Sequence, residues 1–308
     1  MKWLVAALAL ACLLAASDAW RKQRVRVKGR LYCRDAPAEG VVVKLMDQDR
    51  FGFDDTMKRV TTDSQGRFNI DASTRELTTI DPELKIYHRC RERVIVPNLC
   101  KRRWKIVIKD KYVNGEELNV GTLNLAAQIS GEDSKRRQSP DDTTNVMLRY
   151  ALLALVAVGS CTATRRRLQP WGDPSNTHGD TEFLNWGTQG YWVAGRLLCE
   201  GQPADGVLVI LEDHDSTILD RNDVMVRANT DSEGRFDLKG SESETSKIDP
   251  KLKIYHSCNK GMLRCPIKLK IWLPKRYITD GSNHQKMIDI GTWELDMQWP
   301  GQEHDCIH

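Results

Sequence analysis

Hydrophobic and polar residues alternate along two long parts of this chain, with the period of two that is typical of β-strands. In residues 25–33 the apolar side chains of Val25, Val27 and Leu31 fall on one face, and in residues 104–109 Trp104, Ile106 and Ile108 alternate with Lys105, Val107 and Lys109. Turn residues separate such segments, so each part predicts seven or eight short strands. This pattern favours a β-sandwich in which each sheet has one buried and one solvated face.

The two parts are copies of one module of about 110 residues, because their sequences repeat at a nearly constant interval. Three pairs of segments match: "GRLYCRDAPAEGVVVKLMDQD" from Gly29 with "GRLLCEGQPADGVLVILEDHD" from Gly195, "TDSQGRFNI" from Thr62 with "TDSEGRFDL" from Thr230, and "IDPELKIYHRC" from Ile80 with "IDPKLKIYHSC" from Ile248. The repeat predicts two tandem domains.

Two apolar segments stand outside this pattern. Residues 1–19 carry an early lysine, an apolar run and small residues near a cleavage position, which predicts a secretory signal peptide and a secreted, extracellular protein. Residues 147–163 repeat that plan in the middle of the chain and are too short for a stable membrane span. Three interpretations remain open: a second leader from two joined reading frames, a buried or interfacial helix between domains, or a membrane anchor.

The first domain is predicted at residues 20–130 and the second at residues 191–308. Residues 131–190 between them are charged and rich in small and polar residues outside the leader-like segment, so they predict a disordered linker. Basic clusters at 135–137 and 165–167 are candidate processing sites, although solvated charge is the simpler interpretation.

Nine cysteines are present; Cys12 and Cys161 fall in the leader-like segments, and in an exported chain the other seven predict disulfides. In the second module, four cysteines allow three pairings. Cys258 is predicted to pair with Cys265 across a hairpin, and Cys199 with Cys306 at the chain end. The corresponding hairpin pair in the first module is Cys90 with Cys100. Cys33 then has no predicted partner within its module. Either it pairs between chains, or the last residues of the first module, which would contain the match to Cys306, have been lost or misread.

Net charge differs between the modules. Residues 21–137 contain 26 Lys and Arg against 17 Asp and Glu, whereas residues 165–308 contain 18 against 22. A stripe of cations alternates with apolar residues and is the candidate binding face, comprising Arg103, Lys105 and Lys109 with Lys268 and Lys270 at the matching places. The partners it suggests are an extracellular or cell-surface protein, or an anionic lipid or glycan. An ordinary solvated sheet face is the alternative, and nucleic acid is the wrong partner for an exported protein.

The motif G-x-L-x-C followed by P-x-x-G-V, D-S-x-G-x-F, I-D-P-x-L-x-I-Y-H-x-C and G-T-x-x-L resembles the secreted transthyretin-like family of nematodes. The resemblance covers nearly all of both modules. It implies an all-β chain with two tandem transthyretin or prealbumin-like β-sandwich domains, acting as a non-enzymatic extracellular binding or bridging protein. Some members are said to connect phosphatidylserine on dying cells to a receptor.

Two other functions follow from the wider superfamily. A hydroxyisourate hydrolase would need a C-terminal Tyr-Arg-Gly-Ser and gathered histidines, whereas this chain ends in Cys-Ile-His, so no catalytic residues are predicted. A carrier would hold a small apolar ligand in a channel formed by oligomerisation. His88 and His256 precede cysteines by two residues and are predicted to form structural hydrogen bonds, with no metal or cofactor. The oligomeric state and the ligand stay open.

Overall fold

The computed structural model describes residues 21–48, 55–76, 78–90, 100–136, 187–214, 223–244, 246–258 and 265–306. The predicted signal peptide, the leader-like segment and residues 137–186 of the predicted linker lie outside these residues. Residues 131–136 and 187–190 of the predicted disordered linker contain strand residues instead. Within them, no helix has the length and hydrophobicity needed to cross a bilayer.

Each module is built from short strands. In the first module they are β1 (Arg21–Cys33), β2 (Ala36–Pro37), β3 (Val42–Asp47), β4 (Asp55–Thr61), β5 (Arg67–Glu76), β6 (Pro82–His88), β7 (Cys100–Val107), β8 (Leu118–Asn124), β9 (Gln128–Ile129) and β10 (Asp133–Arg136). In the second they are β11 (Gly187–Cys199), β12 (Gln202–Pro203), β13 (Leu208–Asp213), β14 (Val224–Asn229), β15 (Arg235–Glu244), β16 (Pro250–His256), β17 (Ile267–Trp272), β18 (Thr279–Asp280), β19 (Met287–Glu294) and β20 (Glu303–His304). Two 3-10 turns, Asp110–Tyr112 and Lys275–Tyr277, follow β7 and β17.

The first module is a sandwich of two sheets. In one sheet β1 pairs with β5 and β2 in antiparallel fashion and with β8 in parallel, and the other has the order β10-β7-β6-β3-β4. Alternation places Val27 of β1, Leu45 of β3 and Ile86 of β6 in the same core, each fully buried. The second module repeats this plan, with β11, β15 and β19 in one sheet and the order β14-β13-β16-β17-β20 in the other. The predicted all-β chain with two tandem sandwiches is confirmed.

The two modules are longer than predicted and join directly. β10 extends the first module to Arg136, and β11 starts the second at Gly187, past the predicted limits of 130 and 191. β8 pairs with β19 in antiparallel fashion, so the two sheets continue as one across the junction. β9 of the first module adds to the edge of β17 in the second.

The disulfide pairing differs from the prediction. Cys33 bonds to Cys90, and Cys199 bonds to Cys258. Cys90 and Cys258 come just after β6 and β16 and are buried in the core. They therefore face the ends of β1 and β11 in the opposite sheet, and not Cys100 and Cys265 across the hairpin. Each of these two bonds closes a loop of nearly 60 residues, which in the chain-entropy account stabilises the module by about 4 kcal/mol.

The remaining bond of the second module joins Cys265 to Cys306. The sequence could not show that β20 returns to the edge of β17, where Ile267 stands opposite His304. The same register brings Cys306 opposite Cys265. In the first module the position opposite Cys100 is Arg136, so the repeat lacks a cysteine there.

Candidate anion-binding groove at the module junction

A groove of about 580 Å³ lies on the outer face of the sheet that joins the modules. Its floor contains the junction between β8 and β19. Both modules contribute cations to its walls: the groove is lined by Lys28, Arg30 and Arg67 of the first module, by Arg196 of the second, and by Thr122 and Thr292 on the floor.

Two glycines allow the strands to meet at this floor. Gly121 and Gly291 have φ values of 84° and 89°, in the region that favours glycine. A Cβ atom on Gly121 would lie 2.2 Å from the carbonyl oxygen of Thr292, and one on Gly291 would lie 1.9 Å from that of Thr122. Any side chain at either position would therefore force β8 and β19 apart.

The first module presents two arginines of like charge to the groove. Arg30 on β1 is directly opposite Arg67 on β5, an arrangement that destabilises a sheet when nothing neutralises it. The Arg30 Nε donates to the carbonyl oxygen of Gln65 at 2.8 Å, and its guanidinium lies 4.8 Å from the Tyr32 ring centroid. Within the described part of the chain, neither guanidinium forms an ion pair with a carboxylate.

The second module has the same pair but supplies a carboxylate. Arg196 is opposite Arg235, and the Arg235 guanidinium lies 3.0 Å from Glu233. Glu233 corresponds to Gln65 in the repeat, so the first module carries a neutral amide where the second carries a negative charge. Arg196, whose Nε donates to the Glu233 carbonyl oxygen at 2.8 Å, adds a third guanidinium to the groove.

The other charged residues of the groove already have partners. Lys28 forms an ion pair with Glu117. The Asp63 carboxylate accepts hydrogen bonds from the backbone nitrogens of Gln65 and Arg67 at 2.9 and 2.7 Å, which holds the turn before β5. The groove thus offers guanidinium groups suited to an oxyanion such as sulfate or phosphate, which arginine binds through paired hydrogen bonds.

The cations of the stripe predicted from the sequence do not form one continuous surface in the structure. Lys268 lies 2.7 Å from Glu303 and 2.6 Å from Asp305, and Lys270 lies 2.8 Å from Glu303. Burial alone would lower the pKa of Lys268, but its hydrogen bonds to these two carboxylates outweigh it and raise the pKa. The second half of the stripe is therefore neutralised by the segment containing β20.

In the first module the stripe is also incomplete. Arg103 and Lys105 are half-buried on the outward face of β7, as the alternation predicts. Lys109 instead turns toward the second module, where its Nζ lies 2.9 Å from Asp296. The predicted face thus contains two cations of the first module, and the groove around Arg30 and Arg67 is a separate cationic surface on the other sheet.

The two repeated histidines are structural, but the predicted hydrogen bonds are wrong. His88 and His256 are 3% and 2% exposed, and neither ring nitrogen of either residue hydrogen-bonds to another described residue. Burial, followed by the charge of Arg102, holds the pKa of His88 well below its usual range. Burial, followed by the charge of Lys109, lowers the pKa of His256 to about 4. Both are neutral core residues.

Sequence reasoning missed the arginines of the groove although the repeat contains a signal for them. "GRL" places an arginine at 30 and 196, and "GRF" places one at 67 and 235. What the sequence did not reveal is that these positions are opposite each other across β1 and β5. The repeat shows that Gln65 stands where the second module has Glu233. This difference in charge becomes important only because each residue lies next to an opposed pair of arginines.

Two β-sandwiches, each with disulfide bonding inside it, are joined edge to edge and share a cationic groove across their junction. These features define a class of tandem, disulfide-containing β-sandwich proteins. A family model described as "TTR-52: Transthyretin-like family" matches residues 28–109 and 194–274, more than half of the chain. The protein therefore belongs to the transthyretin-like family, and the resemblance seen in the sequence is confirmed.

Several relatives from Caenorhabditis elegans match one part of the chain. Transthyretin-like protein 5 is 43% identical over 121 residues, 39% of this chain and 86% of that protein. Transthyretin-like protein 2 is 34% identical over 166 residues, 53% of this chain and all of that protein. Transthyretin-like protein 33 is 36% identical over 121 residues, 39% of this chain and 84% of that protein.

Proposed function

We propose that this protein is a secreted, non-enzymatic recognition protein that binds anionic groups displayed outside cells through the groove at the module junction. The observation that carries the proposal is the opposed Arg30 and Arg67, which lack a carboxylate partner among the described residues. An external oxyanion would supply the negative charge that Glu233 supplies to the matching pair in the second module.

A sulfated glycan is the ligand this groove favours. Lys28, Arg30 and Arg67 of the first module and Arg196 of the second line one continuous groove, which suits a linear polyanion that contacts both modules. A bilayer surface of anionic lipid contains phosphate groups of similar chemistry and is the alternative source of the oxyanion. The opposite net charges of the modules support a division of roles, with most of the anion contacts on the first module and a protein partner on the second.

The experiment measures binding of the secreted full chain to heparin, to vesicles containing phosphatidylserine, and to neutral vesicles at two salt concentrations. Gln65→Glu is the most informative variant, because it gives the first module the carboxylate of the second without removing an arginine. The expected result is weaker heparin binding by at least about tenfold, with a similar loss in Arg30→Ser/Arg67→Ser, since each lost charged hydrogen bond costs about 1.5 kcal/mol or more.

The matched control is Arg59→Ser/Arg227→Ser, which removes the same charge from exposed positions on β4 and β14, away from the groove. This control should retain most of the heparin binding. Binding to anionic vesicles alone, lost in the groove variants, would assign the oxyanion to a lipid. Equal binding by wild type, Gln65→Glu and the double arginine variant would contradict the proposed function.

A further inference from the structure

The junction between the modules follows a local twofold relation. The repeat aligns "GTLNLAAQIS" from Gly121 with "GTWELDMQWP" from Gly291, so equivalent residues in this segment are 170 positions apart, whereas from Trp104, which aligns with Leu269, the interval is 165. Thr122 pairs with its own equivalent, Thr292, at the centre of the β8 and β19 ladder. The other pairs that obey this relation are Gly121 with Trp293, Leu123 with Gly291, Val107 with Gln298, and Gln128 with Trp272. Each junction residue therefore has an equivalent on the other side of the axis.

The ionic contacts across this axis that involve a buried carboxylate lie on one side of it. Asp296 of the second module is 0% exposed, and its carboxylate accepts from Lys109 Nζ at 2.9 Å, Lys111 Nζ at 2.6 Å and the Tyr112 hydroxyl at 2.8 Å. All three donors belong to the first module. The equivalent of Asp296 across the axis is Ala126, which has no charge to offer. A buried carboxylate is stable only when such partners are present.

In a second contact, the cation again comes from the first module and the carboxylate from the second. Lys111 Nζ also lies 2.6 Å from Glu200, and the equivalent of Glu200 in the first module is Arg34. Burial alone would lower the pKa of Lys111, but its hydrogen bonds to Asp296 and Glu200 outweigh that effect and raise the pKa. On the opposite side of the axis, the Arg276 guanidinium lies 3.5 Å from Asp35, whose side chain is 76% exposed and also accepts from the Tyr277 hydroxyl at 3.4 Å.

Like modules would form fewer of these contacts than the unlike pair. If two first modules met about the same axis, Lys111 would face Arg34 and Ala126, with only the exposed Asp35 as a carboxylate. If two second modules met, Arg276 and Tyr277 would take the places of Lys111 and Tyr112, but Asp296 would lose Lys109, because the segment "WKIVIKDKY" from Trp104 aligns with "LKIWLPKRY" from Leu269 and puts a proline there. Only the unlike pair gives Asp296 both lysines.

The apolar side chains at equivalent positions on the two sides of the axis also differ in size. Trp104 of the first module packs on Trp293 and Trp299 of the second, with ring centroids 5.7 and 6.5 Å apart. The equivalent positions across the axis are occupied by the smaller residues Leu269, Leu123 and Ile129. All three tryptophans are fully or almost fully buried, so the aromatic cluster adds shape selection to the charge selection.

We propose that this surface is a self-sorting interface that joins a first module specifically to a second module, with Asp296 as its main determinant of partner choice. The pair stays together after the segment between the modules is cut, for example at the basic cluster at 165–167. Because both modules line the groove, the paired modules keep it whether they are on one polypeptide or two.

The experiment uses the full chain with a specific protease site inserted between residues 170 and 175. After cleavage, native mass spectrometry and size-exclusion chromatography over a dilution series measure the association without any ligand. The expected result is a one-to-one pair of unlike fragments. Asp296→Asn should weaken this association by at least about a hundredfold, because it removes one partner of a buried ion pair. Asp280→Asn, an exposed carboxylate of the second module, should not change it.

Circular dichroism of each uncut variant checks that the sheets are intact. If Asp296→Asn does not fold, Lys111→Met in the first module provides the same test, because it keeps the aliphatic stem at a partly exposed position. Separation of the wild-type fragments, a statistical mixture of like and unlike pairs, or unchanged association in the folded variants would each overturn the proposal.

Discussion

The buried histidines should make the free energy of unfolding fall with decreasing pH. This fall should begin near pH 6.5, before the carboxylates are protonated. The pKa of His256 is about 4 in the folded state against 6.5 for an ordinary histidine. The unfolded chain therefore takes up the proton first. The stability that His256 contributes as a neutral residue is fully present above about pH 6.5, and it is lost as the pH falls toward 4.

The two pKa values set the size of the effect. Between pH 7 and pH 5 the free energy of unfolding should fall by about 2 kcal/mol from His256 alone. His88 contributes in the same direction, because burial and Arg102 lower its pKa as well. His256→Phe keeps a buried ring of similar shape that cannot be protonated, so it should remove about 2 kcal/mol of the pH dependence.

The assay is urea unfolding of the full chain at pH 7 and pH 5, followed by tryptophan fluorescence. His304→Phe is the control, since His304 is exposed on β20 and should leave the wild-type pH dependence in place. The reasoning would be refuted if His256→Phe lost as much stability as the wild type between these two pH values.

Three further predictions concern the junction and the disulfides. Gly291→Ala should disrupt pairing of β8 with β19, because its Cβ would lie 1.9 Å from the Thr122 carbonyl oxygen, and hydrogen exchange of β8 amides should increase. Trp293→Ala should lower the free energy of unfolding by about 3–5 kcal/mol through the cavity it leaves, measured by urea unfolding. Arg136→Cys should form a disulfide with Cys100, which it faces in register, and add about 4 kcal/mol of stability. Non-reducing peptide mapping would detect that bond, and two free thiols would contradict the register.

The sequence by itself determined the strands, the repeat and the family. Period-two alternation identifies buried positions such as Val27 and Ile106 because a strand exposes its two faces to different environments. The repeat predicts two equivalent modules, and the conformation of Gly121 and Gly291 is consistent with their presence in both copies. These features depend on residues that are close in the chain or are compared directly between copies.

Only the tertiary structure decided which residues meet across the sandwich and across the junction. Cys33 bonds to Cys90 because β1 and β6 lie in facing sheets, although the hairpin pairing was equally consistent with spacing along the chain. Lys109 left the predicted binding stripe because a carboxylate 187 residues away is buried beside it. The opposition of Arg30 to Arg67 likewise depends on strand register. Such contacts depend on how two surfaces pack, and local alternation carries no information about the partner surface.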